Sequence, residues 1–422
     1  MKKIVLLLVL FCSSMVFVQC NIDDSNPVDE ETVDPEIDFD NAIVIDVVDD
    51  YFSQHFEIRA YLSDKNGTIV AEEKLSSFNK TILTADFENN EYDLTLLRGI
   101  PGSNGELQTF LNIEPTIYTL KLRPKLNPNF EAVNLEITNA VPEFYVTGIT
   151  GDYAEVGYTN ENGGTFLLKG LLEETPGDFF ALGKMPDEEF PRYFWREDVP
   201  GNSTIGVNML SLPFAEKSIT TQFPDNYRLD LTITGHRDED ESDDKFIKHT
   251  LLKTNFTAGT TSNQFYIPEN LFDNYEFATR FSANSAVYFY LEKSPQITNI
   301  VTLPNFDVTI NSSGINNFSM TSTGKYDFFE ALYTHDITDS ILDLRYSVFG
   351  EFSENTSFKL KTLFDSIFSN TPTIASDKLE FQDVTVRDYD VINSFSDISK
   401  TYIGGLPDFP KFYTFKGVTR YE

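Results

Sequence analysis

The chain has 422 residues, with 66 acidic against 32 basic side chains and a formal net charge of −34. Such a balance repels nucleic acid and anionic lipid headgroups and argues against both as direct partners. Hydrophobic residues make up 41%, enough for real cores, and 38 Phe and 20 Tyr stand against a single Trp. Phe and Tyr favour strands, where a flat ring packs well on a pleated surface, so the aromatics are expected to fill β cores.

The first residues have the parts of a secretory signal. Lys2 and Lys3 form a positive start, and an apolar stretch runs from Ile4 through Phe11 to Val18. That stretch is shorter than the roughly 20 residues a spanning helix needs, which makes residues 1–19 a cleaved leader. The chain holds two cysteines, Cys12 inside this leader and Cys20 at its end. An exported chain left with one thiol at its first position has no disulfide partner for it, so the thiol is expected to be chemically occupied.

The tetrapeptide Phe17-Val18-Gln19-Cys20 resembles a lipobox, with Phe17 and Gln19 in place of the usual leucine and small residue. Residues 20–38 then form a polar, acidic, proline-containing run that cannot bury a core and reads as a disordered tether. An acidic tag after a lipidated cysteine resembles that of Bacteroidota-type outer-membrane and surface lipoproteins. The resemblance implies a diacylglycerol-type lipid on Cys20, a membrane partner reached through that lipid, and a place in the outer membrane facing the cell surface, with a periplasm-facing position as the alternative. Two acyl chains suffice for stable anchoring.

From residue 39 the pattern changes to short extended runs broken by turns. Runs at 42–48 and 56–62 alternate as half-buried strands do. Asn66-Gly67 follows, a strong hairpin signal because both residues tolerate positive φ. Further runs at 68–74, 81–86, 91–97, 107–113 and 117–123 bring the count to about seven, which describes an immunoglobulin-like or transthyretin-like sandwich over 39–124.

The stretch from Pro124 to Asn129 reads as a boundary. A second β-rich block, 129–258, is expected to hold runs at 133–138, 143–147, 153–159, 165–171, 205–210, 227–234 and 245–252. Residues 172–203 interrupt it with four prolines, three glycines and many aromatics without a period, and read as an aromatic loop. A third β-rich block, 260–422, has runs at 275–281, 286–291, 306–310, 327–333, 342–349 and 379–386. Within it Leu360, Leu363, Phe364, Ile367 and Phe368 share a face at 3.6 residues per turn, which predicts one short helix over 358–369 that covers a sheet. The expected fold class is therefore mainly β, as tandem antiparallel sandwiches with one short helix near the C-terminus. Leu212-Pro213-Phe214, Leu303-Pro304-Asn305-Phe306 and Leu406-Pro407-Asp408-Phe409 form a weak recurrence that would suit repeated domains.

The chain contains no His-Glu-x-x-His, no Cys-x-x-Cys, no Gly-x-Gly-x-x-Gly, no phosphate-binding loop and no Gly-x-Ser-x-Gly. No cofactor and no catalytic residue is expected, although acidic side chains are too numerous for a glycosidase pair to be selected or dismissed from sequence. Two segments carry binding potential. In the aromatic loop, Tyr193 and Trp195 could stack on a sugar face while Arg192, Arg196 and Asp198 hydrogen-bond its hydroxyls; alternatively these side chains fold back as a lid on the second sandwich. In the run 238–244, Asp238, Asp240, Asp243 and Asp244 could offer oxygen ligands to Ca²⁺. The spacing is not that of an EF-hand and no glycine stands at its turn, so a solvated charge run is the expected reading. His55 and His249 lie in strand patterns and read as structural.

The layout of lipid, acidic tether and successive β blocks resembles that of surface glycan-binding lipoproteins of starch-utilisation-type systems. That resemblance implies non-catalytic capture of oligosaccharide, with a glycan or an outer-membrane protein complex as partner. The alternative is a structural or adhesive envelope or fimbrial-assembly lipoprotein that uses sheet edges for protein contacts.

Overall fold

The computed structural model describes residues 40–421 except 49–56, 100–104, 121–129, 142–143, 152–154, 159–164, 173–174, 225–226, 238–248, 258, 260, 284, 338–341, 393 and 405–410. The protein is mainly β, with 60% of the described residues in strands and 7% in helices. Among the described residues no helix is long and apolar enough to cross a membrane.

The strands build four sandwich lobes. The first holds β1 (Ala42–Val47), β2 (Ile58–Asp64), β3 (Ile69–Lys74), β4 (Asn79–Thr84), β5 (Tyr92–Arg98), β6 (Gly105–Ile113) and β7 (Ile117–Leu120). Ile43, Ile45 and Val47, alternate residues of β1, are buried against Ile58, Leu62, Leu94 and Leu96 of the facing sheet, as a period of two demands. The Asn66-Gly67 turn joins β2 to β3 as expected. Asp64 Oδ1 accepts the N–H of Asn66 at 2.9 Å and of Thr68 at 2.8 Å, while Gly67 takes φ +78°.

The second lobe holds β8 (Glu131–Thr138), β9 (Tyr145–Ile149), β10 (Glu155–Tyr158), β11 (Phe166–Leu172), β12 (Gly177–Lys184), β13 (Arg192–Val199) and β14 (Thr204–Asn208). Sheet β10-β11-β8-β14 lies over β13-β12-β9, with Leu135, Ile137, Phe166 and Phe179 between them. The third lobe holds β15 (Lys217–Gln222), β16 (Arg228–His236), β17 (His249–Phe256), β18 (Ser262–Ile267), β19 (Asn274–Ala283) and β20 (Ala286–Ser294). There the pair β15-β18 covers β17-β16-β19-β20 through Ile219, Phe265, Leu231 and Phe277.

The fourth lobe holds β21 (Asp307–Ser312), β22 (Phe318–Thr323), β23 (Phe328–Ile337), β24 (Leu342–Glu351), β25 (Asn355–Phe358), α1 (Lys361–Ile367), β26 (Glu380–Tyr389), α2 (Phe395–Gly404) and β27 (Tyr413–Tyr421). Helix α1 fulfils the helix expected over 358–369 and buries Leu363 and Phe364 against the sheet. Helix α2 is a second helix that the sequence reading missed; its Phe395 and Ile398 join the core of the first lobe.

The lobes are joined edge to edge. β6 pairs in parallel with β24, and β20 pairs antiparallel with β27, so one twelve-stranded sheet runs β17-β16-β19-β20-β27-β26-β23-β24-β6-β5-β2-β3. The sequence blocks therefore do not coincide with the sandwiches. The expected boundary at 258–260 falls between β17 and β18, which close the same third lobe. At the β6–β24 junction both sheet faces are covered: Leu94 and Leu96 belong to one core, Leu97 and Leu107 to the other. Three hydroxyls buried there are paired, with those of Thr95 and Thr109 2.7 Å apart and Thr109 Oγ1 3.0 Å from the Tyr346 hydroxyl. Pairing matters because an unmet buried polar group costs about 1–3 kcal/mol.

Candidate functional site

The stretch expected as an aromatic loop is mostly a hairpin. β12 and β13 pair antiparallel with Phe180 opposite Trp195, Leu182 opposite Tyr193 and Gly183 opposite Arg192. Alternation then sends neighbouring rings to different lobes. Phe194 packs on the core of the second lobe, whereas Tyr193 and Trp195 pack on the core of the third. The physical reason for the lost periodicity is that β13 packs on a core with both faces at Tyr193–Trp195, so no alternation of polar and apolar residues shows there in sequence.

Trp195 is half-buried. Its ring lies 5.0 Å from that of His249 and 6.0 Å from that of Phe272. The Arg237 guanidinium sits 5.6 Å from the indole centre and pairs with Glu197 at 2.7 Å and Asp178 at 3.4 Å. Beside it, Thr150 bridges to His249, extending the β9 edge onto β17. Gly148 is required at this approach, since a Cβ there would stand 2.1 Å from the Thr250 carbonyl oxygen. Trp195 and Tyr193 thus help close the seam between the second and third lobes, and His249 is the structural histidine expected.

Arg192 lies at the other end of β13. Its Nε and Nη2 donate to Glu188 at 2.8 and 2.7 Å, and its Nη1 donates to the carbonyls of Leu212 at 2.7 Å and Leu210 at 3.3 Å. The guanidinium covers the Phe214 ring at 3.8 Å, a cation–π contact. Phe214 is 38% exposed and Leu210 59%. The Phe190 ring centre lies 6.4 Å from that of Phe214 and 5.0 Å from that of Tyr266, both pairs edge to face. Tyr266 projects from β18 opposite Ser218 of β15, and Gln264 donates to the Ser218 hydroxyl at 2.7 Å.

These residues form an aromatic shelf, Phe190, Phe214 and Tyr266, with an amide and a hydroxyl alongside. Backbone bonds hold it: Tyr193 N donates to Pro213 O at 3.0 Å and Ala215 N to Pro191 O at 2.8 Å. Of the residues selected from sequence, the structure brings Arg192 to this shelf and Tyr193 and Trp195 to the seam. Arg196 and Asp198 are exposed farther along β13; Asp198 takes φ +52° and its N–H donates to Asp178 at 3.3 Å. Sequence reasoning missed Tyr266 because its run at 262–267 carries only a brief alternation. Phe214 was visible within Leu212-Pro213-Phe214, yet its counterpart Phe306 is buried, so the recurrence does not mark equivalent sites.

Cys20, His55 and the acidic run with Asp238, Asp240, Asp243 and Asp244 lie outside the described residues. Among the described residues no group of three or more His, Cys, Asp or Glu side chains is placed to hold a metal ion. A buried charge cluster lies on β23 and β26. Glu330 accepts from Arg387 Nη2 at 2.7 Å and from the Ser347 hydroxyl at 2.9 Å, and Arg387 Nη1 donates to the Tyr402 hydroxyl of α2 at 3.2 Å. Burial pushes the Glu330 carboxyl up, but Arg387, Ser347 and Arg345 together hold it below its ordinary value. Burial, with Glu330 nearby, raises Asp383. The Glu330 oxygens are engaged by their partners, so the cluster clamps α2 to the sheet. No protein-family model and no curated protein matches the chain.

Proposed function

We propose that the chain is a lipid-anchored outer-membrane protein, displayed at the cell surface, that captures oligosaccharide without catalysing a reaction on it. The aromatic shelf carries this reading. Phe190, Phe214 and Tyr266 offer ring surface at the edge of two rigid lobes, and Ser218 and Gln264 offer a hydroxyl and an amide beside it. Sugar rings present C–H faces to aromatics and hydroxyls to such groups. Because strands and backbone bonds set the rings, little ordering is lost on binding. The leader, Cys20 and the acidic tether support the anchor.

The assembly alternative rests on β3, the terminal strand of the twelve-stranded sheet, where Val70 is 47% exposed. Glu72, Glu73 and Lys74 on that strand are the kind of charges that blunt edge pairing, which favours saccharide capture. The test is a glycan array on the full chain, followed by calorimetry on Phe214→Ala and Tyr266→Ala. Each variant is expected to lose about tenfold in affinity, ~1.4 kcal/mol, while still melting in one cooperative transition. A blank array, or two variants that bind like the parent, would refute the shelf reading.

A further inference from the structure

We infer that the shelf takes uncharged oligosaccharide chains and turns away chains of uronic acids; this rests on the saccharide reading above and narrows it. The guanidinium at the shelf has no free two-pronged fork left for a ligand carboxylate. All three Arg192 nitrogens already donate, to Glu188 and to the carbonyls of Leu210 and Leu212, and its side chain is only 11% exposed. A free arginine fork would be the natural reader of a carboxylate; here an internal carboxylate occupies it.

The rim adds repulsion. Asp187 and Glu189 precede Phe190, Glu216 follows Phe214, and Glu269 follows Tyr266, and all four are exposed. Lys217 is the exposed cation next to the shelf in sequence, and Glu216 adjoins it. A uronic-acid chain would bring one carboxylate per sugar into the field of these neighbouring acids, on a chain carrying −34. A neutral chain meets none of that penalty. Its hydroxyls can exchange hydrogen bonds with Ser218, Gln264 and the Tyr266 hydroxyl while its C–H faces lie on the rings.

The experiment is calorimetry on the full chain in a detergent without a sugar headgroup, using cellohexaose, xylohexaose and maltohexaose as neutral probes and hexagalacturonate as the acidic one. At least one neutral probe is expected to bind with an affinity independent of salt. Hexagalacturonate is expected to bind at least about tenfold more weakly, with the gap closing at high salt. The double variant Glu189→Lys/Glu216→Lys should narrow that gap at low salt. Hexagalacturonate binding as tightly as the best neutral probe would overturn the inference and leave saccharide capture standing. Silence with all four probes would instead sink saccharide capture itself.

Discussion

The hydroxyl of Thr150 lies 3.0 Å from Nδ1 of His249 and also accepts the Phe180 N–H at 2.7 Å. One side chain of the second lobe thereby satisfies its own sheet and reaches the end strand of the third. Thr150→Val keeps the shape and removes the acceptor. It is expected to cost about 1–3 kcal/mol, read as a lower urea midpoint. Trp195, whose ring adjoins His249, should report the loosened seam as a fluorescence red shift at urea concentrations below global unfolding.

Gly148→Ala tests the same seam by steric means. The added methyl would meet the Thr250 and Leu251 carbonyl oxygens at 2.1 and 2.8 Å, and backbone cannot swing aside as a side chain can. A loss at the upper end of the usual overpacking range, about 3 kcal/mol, is expected in thermal unfolding. An alanine variant as stable as the parent would show that the two strands are farther apart than described.

Asp93 links stability to pH. It is 6% exposed and its carboxylate accepts the Asn112 N–H at 2.9 Å. Burial outweighs that bond and raises the carboxyl from 3.8 to about 7. The folded-state value is the higher one, so the folded chain keeps a proton that the unfolded chain has released. The associated stability is fully present below 3.8 and is lost as pH rises to about 7, up to ~4 kcal/mol in all. Asp327, raised to about 6 by burial, acts in the same direction. Urea midpoints measured from pH 4 to pH 8 should fall, and Asp93→Asn, which keeps an oxygen acceptor, should flatten much of the slope.

Arg387 and Glu330 are expected to behave as a coupled pair. Arg387→Leu leaves a buried carboxylate facing Ser347 and Arg345 without its main partner, at a cost of about 3–5 kcal/mol. Adding Glu330→Leu should recover part of that loss, because the stranded charge is then gone. A double-mutant cycle by denaturant unfolding checks this; strictly additive losses would show that the pair is not coupled.

The β class, the Asn66-Gly67 hairpin and α1 were legible in sequence because each is a local matter of side-chain period and turn chemistry. At 43, 45 and 47 an alternation, and at 360, 363, 364, 367 and 368 a helical stripe, fix which face is buried before any partner is known. Helix α2 had a weaker signal, Phe395, Ile398 and Tyr402 at helical spacing, diluted by Ser, Thr and Gly.

Only the tertiary structure decided how the lobes join and which aromatics remain exposed. The pairings of β6 with β24 and β20 with β27 are backbone hydrogen bonds between segments more than a hundred residues apart, and such bonds leave no mark on side-chain pattern. In sequence Trp195 reads as a loop aromatic and Phe214 as part of a weak recurrence. One faces the core of a neighbouring lobe and the other looks outward beneath Arg192, because the fate of each ring depends on what packs across from it.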